Sequence, residues 1–165
     1  NKIVKNVELL RYYIELIPER FYTNNYFDNN VVNIEETNLK VLIADDVKMN
    51  RMLLKEILER ENISSKEASN GLEVLEMLEK EHFDVLLLDI QMPIKDGFET
   101  LKEIKSSKKL MSVYTIVLTA NIQKNDIEMY YKAGCDDYIS KPIDKNQIIN
   151  KIKNLRNSFN SKSNQ

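Results

Sequence analysis

The sequence predicts an α/β chain built on a doubly wound (βα)5 parallel five-stranded sheet, preceded by a helix and a linker. Three observations predict it. Beyond Asn38 a short apolar run followed by a helical stripe recurs five times. Three of those runs lack polar alternation, as parallel strands covered on both faces require. Chemically active side chains stand directly after the runs, at the carboxyl edge where open α/β sheets bind their ligands.

The elements follow in chain order. Residues 1–17 space Ile3, Val7, Leu10, Ile14 and Ile17 as the stripe of an amphipathic helix, and Pro18 ends it. Residues 18–38 are rich in Asn, whose short polar side chain competes with regular backbone pairing, and read as a linker. The domain proper spans 39–157, and 158–165 form a polar tail. Its strands are predicted at 39–44, 63–68, 85–88, 114–118 and 138–139. The helical stripes between and after them are Leu53/Leu54/Ile57/Leu58, Leu72/Leu75/Leu78, Phe98/Leu101/Ile104, Ile127/Met129/Tyr130/Ala133 and Ile148/Ile149/Ile152/Leu155. Asn70 and Asp144 are candidate N-caps of the second and fifth of these helices, and Gly134 is placed to end the fourth in a left-handed conformation.

Composition excludes several classes of function. With 165 residues, 42% hydrophobic and 30% charged, the chain is long and apolar enough for a packed core. Its longest aliphatic run is far below the roughly 18 residues of a membrane span, and the expectation is a soluble, cytoplasmic chain without membrane contact. One cysteine and one histidine leave no internal disulfide and no zinc-type cluster. A net charge of −2 gives no bulk attraction for nucleic acid. The chain opens on Asn1 and reads as a piece of a longer protein.

At the strand ends stand Asp45-Asp46 after the first run, Asp89 after the third, Thr119-Ala120 after the fourth and Ser140-Lys141-Pro142 after the fifth. Carboxylates gathered this closely raise the cost of ionising one another unless a cation is present. Oxygen ligands without imidazole or thiolate suit a hard divalent ion such as Mg2+. Lys141 and Thr119 then face the oxygens of an incoming phosphoryl group while the Asp89 carboxylate attacks phosphorus.

The Asp45-Asp46 pair, Leu-Leu-Asp89-Ile-Gln-Met-Pro93 with Asp96-Gly97, Leu-Thr119-Ala-Asn, and Asp-Asp-Tyr138-Ile-Ser-Lys141-Pro142-Ile together resemble the receiver domain of two-component response regulators, over about residues 39–156. The resemblance implies the flavodoxin-like fold. It makes Asp89 the phosphoacceptor and gives Mg2+ to Asp46, Asp89 and the backbone carbonyl of Gln91, with Asp45 acting through a metal-bound water. It also implies that Thr119 and Lys141 hold the phosphoryl oxygens, that Tyr138 reorients with Thr119 on activation, and that Lys141–Pro142 is a cis peptide. The partner it implies is a histidine kinase or a histidine phosphotransfer domain, with a second copy of the chain as a further candidate. Asp-Asp-Val-Lys-Met-Asn50-Arg51 and Ser-Lys-Pro-Ile resemble receivers fused to hybrid histidine kinases, although no kinase ATP-binding motif lies in the chain.

Other readings stay open at this level. A stand-alone regulator or phosphorelay intermediate uses the same residues. A Mg2+-dependent phosphohydrolase typically carries a second aspartate two residues after the nucleophile, where this chain has Gln91. A receiver kept only as a binding scaffold would not need all of Asp45, Asp46, Asp89, Thr119 and Lys141. His82 is expected in solvent, and Cys135, beside Gly134, in a turn or half-buried.

Overall fold

A computed structural model describes residues 39–163. Five strands, β1 (Lys40–Ala44), β2 (Ser64–Ala68), β3 (Val85–Asp89), β4 (Tyr114–Thr119) and β5 (Asp137–Ser140), form one parallel sheet in the order β2-β1-β3-β4-β5. The helices are α1 (Lys48–Glu59), α2 (Gly71–Lys80), α3 (Gly97–Ser106), α4 (Lys124–Lys132) and α5 (Lys145–Ser163). The helix and linker expected at 1–17 and 18–38 lie outside the described residues.

Strand sequence tracks position in the sheet. The three central strands are buried almost throughout, whereas edge strand β2, with sequence SSKEA, alternates between exposed and half-buried before Ala68. Alternate residues of the central strands feed two cores. Leu42, Ala44, Leu86, Leu88 and Val117 pack with Val74, Leu78, Leu101, Ile104 and Tyr130 from α2, α3 and α4. Val41, Ile43, Val85, Leu87, Ile116 and Leu118 pack with Leu54, Ile57 and Leu58 of α1 and Ile148 and Ile152 of α5. Each such side chain withdrawn from water contributes about 1.5–3 kcal/mol before entropy is counted.

The helix ends follow local chemistry. Asn70 caps α2 by accepting the Glu73 N–H at 3.1 Å, and Asp144 accepts the N–H groups of Asn146 and Gln147 at the start of α5. Gly134, at φ +100°, closes α4: its N–H donates to Tyr131 O and the Cys135 N–H to Tyr130 O.

Three stripe assignments are corrected. Leu53, Leu72 and Met129 are exposed, because each lies one or two positions off the arc that meets the sheet; Leu54, Val74 and Tyr130 take the inward positions. The stretch 158–165 expected as a polar tail is helical through Ser163, and Phe159 packs against the α1–α5 core. Cys135, expected in a turn or half-buried, is buried, and its thiol is pushed up to about 11, chiefly by burial. His82 is exposed, as expected, and meets Asp84 at 3.1 Å. No described helix is long and apolar enough to cross a membrane.

Candidate functional site

Strand register assembles the site. Ala44 is level with Leu88, Leu88 with Val117 and Val117 with Tyr138, so continuing each strand brings Asp45, Asp89, Thr119 and Lys141 to one edge. Asp45 and Asp89 are buried while Asp46 is exposed, and one carboxylate oxygen from each lies within 4.8 Å of the others. Such an all-oxygen donor set matches a hard divalent cation.

Lys141 spans the acids from the far side. The Lys141–Pro142 bond is cis, and Nζ lies 2.9 Å from Asp45 Oδ2 and 3.0 Å from Asp89 Oδ2. Burial pushes the Lys141 ammonium down, but its bonds to Asp45 and Asp89 outweigh that and hold it above its usual range. Asp89 moves up. Burial is the largest cause, the Asp45 charge adds to it, and Lys141 and the Gln91 N–H, 3.3 Å from Oδ1, oppose it.

The loop after Asp89 folds back tightly. Gly97 donates to the Ile90 carbonyl at 2.9 Å, and a Cβ at Gly97 would lie 2.0 Å from the Asp89 carbonyl oxygen. Any side chain there would displace the backbone that carries Asp89.

Three residues outside the expected site support it. Asn50 donates to both Asp45 oxygens at 3.1 and 3.0 Å, and the Val47 N–H donates to Oδ1 at 2.9 Å. Arg51 donates to the Asp45 and Asp46 carbonyls at 2.8 and 3.1 Å, and its Nε to Glu67. In the sequence, Asn50 and Arg51 stand out only within a stretch that resembles hybrid-kinase receivers. The third, Tyr130, belongs to the apolar stripe of the fourth helix, yet its hydroxyl lies 3.3 Å from Thr119 Oγ1. Tyr138 is half-buried and meets Tyr131 edge-on, with ring centroids 6.3 Å apart. Asp89, Gln91, Thr119, Asn121, Tyr130 and Lys141 all line a cleft of about 250 Å³.

By fold and by site, this is a two-component signalling domain. More narrowly, the chain belongs to the response regulator receiver domain family, whose model matches residues 41–153. It is similar to the chemotaxis protein CheY of Halobacterium salinarum, 38% identical over 116 residues that cover 70% of this chain and 95% of the relative. The polar-differentiation response regulator DivK of Brucella ovis is 34% identical over 113 residues, 68% of this chain and 92% of the relative. Among solved structures, the receiver domain of Francisella response regulator 1452 superposes with a TM-score of 0.69 at 30% identity, covering 74% of this chain and 99% of that one. The receiver domain of a signal transduction histidine kinase from Syntrophus aciditrophicus gives 0.67 at 27% identity, covering 72% and 90%.

Proposed function

We propose that this receiver takes a phosphoryl group onto Asp89 from a phosphohistidine carried by a histidine kinase or a histidine phosphotransfer domain. A bond forms between phosphorus and an Asp89 oxygen as the phosphorus–nitrogen bond breaks, and the imidazole leaves with the electron pair. The observation that carries the reading is Lys141 Nζ held 2.9 Å from Asp45 and 3.0 Å from Asp89, which sets a fixed cation beside the nucleophile.

Asp45, Asp46 and Asp89 supply the donor set for Mg2+, joined by the Gln91 carbonyl; the ion would neutralise charge building on the phosphoryl oxygens. Thr119 and Lys141 bind those oxygens, and Thr119 with Tyr138 passes the event to the face made by α4, β5 and α5. The parent protein in this reading is a hybrid histidine kinase. Its support is the Asp45-to-Arg51 wording and the likeness to the Syntrophus kinase receiver. A stand-alone regulator is the second reading, favoured by matches that span 95% and 92% of CheY and DivK. An antibody blot of the source cells separates the two, since a hybrid kinase carries its kinase domains on the same chain and runs far above the mass of a single-receiver regulator.

The phosphoacceptor assignment is tested by incubating the chain with acetyl phosphate and Mg2+ and reading intact mass. One added phosphoryl group is expected, and none in Asp89→Asn. Equal labelling of the variant would remove Asp89 from its role.

A further inference from the structure

We infer that Tyr130 is a positioning residue of the phosphoryl site: its hydroxyl holds Thr119 in a resting orientation that phosphoryl binding has to break. The inference rests on the phosphoacceptor reading of Asp89 and adds to it a residue outside the expected set.

A threonine hydroxyl offers one hydrogen and two lone pairs. In this structure all three are taken. Thr119 Oγ1 donates to the Asn121 carbonyl at 3.2 Å, accepts the Asn121 N–H at 3.1 Å and meets Tyr130 Oη at 3.3 Å. With the Thr119 hydrogen on Asn121, the tyrosine is the donor to the remaining lone pair. To donate to a phosphoryl oxygen beside Asp89, Thr119 must redirect its single proton and give up part of this set.

Tyr130 is built to hold that position. Its side chain is only 4% exposed, and its ring stands edge-on to Phe98 of α3, with centroids 6.3 Å apart at 65°. The ring is therefore anchored in the α2–α3–α4 core while the hydroxyl reaches the cleft wall shared with Asp89 and Lys141. Tyr130 is also the one fully buried residue of α4, so whatever happens at Thr119 is felt at that helix's main attachment. Tyr138, on the neighbouring strand, meets Tyr131 instead.

The test uses the full chain with Mg2+ and fluoroberyllate, a tetrahedral mimic of the phosphoryl group, with affinity read by calorimetry. Tyr130→Phe keeps the ring and its packing and removes only the hydroxyl, so the fold is expected to persist with a melting temperature lower by a few degrees. Loss of one neutral hydrogen bond to the resting form predicts about fivefold tighter binding. In a Thr119→Val background the same substitution is expected to change nothing, since the bond acts through the Thr119 hydroxyl. Unchanged or weaker binding in Tyr130→Phe, or an equal gain in the Thr119→Val background, would overturn the inference. Wild-type binding that Asp89→Asn abolishes leaves the phosphoacceptor reading standing in either case; no binding by the wild-type chain would overturn both.

Discussion

Helices α1 and α4 each leave the sheet at the site, one after Asp45-Asp46 and the other after Thr119-Ala120-Asn121, yet they are held very differently. α1 buries Leu54, Ile57 and Leu58. Its first turn is laced to the acids by Val47, Asn50 and Arg51. α4 buries Tyr130 alone, residues 121–125 ahead of and into it are exposed, and Gln123 N–H reaches Asn121 Oδ1 at 3.3 Å. Few buried apolar contacts and an exposed backbone mark the low-stability parts of a fold. The difference teaches that the helix beside the acids is held by more buried contacts than the helix beside Thr119.

The contrast is sharpened first by truncation. Leu54→Ala on α1 should cost about 3 kcal/mol in urea unfolding, within the usual range for a buried leucine. Met129→Ala on the exposed side of α4 should cost less than about 1 kcal/mol. Equal costs would break the comparison. Next, Asn50→Ala should destabilise by about 1–3 kcal/mol, because the buried Asp45 carboxylate loses its donor to both oxygens. Amide exchange should then speed up across α1 and leave α4 as it was.

The smallest effect has the opposite sign. Asp89 titrates above its ordinary range in the fold, chiefly through burial, so the folded state binds its proton more tightly than the unfolded chain does. Its favourable contribution is complete below the ordinary carboxylate value of 3.8 and is lost as pH rises through the raised folded value. Asp89→Asn should therefore melt a few degrees higher than the wild type at pH 7 without metal, with the gap narrowing toward pH 3. A gap that widened on acidification would reverse the assignment of strain to this carboxylate.

Strands were readable because the central ones are apolar throughout: the runs predicted at 39–44, 85–88 and 114–118 agree with β1, β3 and β4 to within one residue at each end. Helix faces were less so. Leu53 and Leu72 belong to apolar clusters in sequence, but a 3.6-residue period with several neighbouring leucines leaves the inward arc uncertain by one or two positions, and the sheet selects Leu54 and Val74. The acids, Thr119 and Lys141 were legible as residues after strands. Tyr130 was not, since a stripe reports where a ring goes and is silent about a hydroxyl at its tip. Asn50 and Arg51 act across a turn on backbone carbonyls and a buried acid, a geometry no spacing rule encodes.

Cys135 provides a clock. It is the chain's single cysteine, packed immediately beyond the Gly134 turn that ends α4, with a thiol pushed up to about 11. Only the thiolate reacts with alkylating reagents, so in the closed fold modification is suppressed both by access and by protonation. Each alkylation event then marks an opening at the end of α4. Its rate, followed with and without a phosphoryl mimic, compares how often that end stands open in an untagged, unmutated chain.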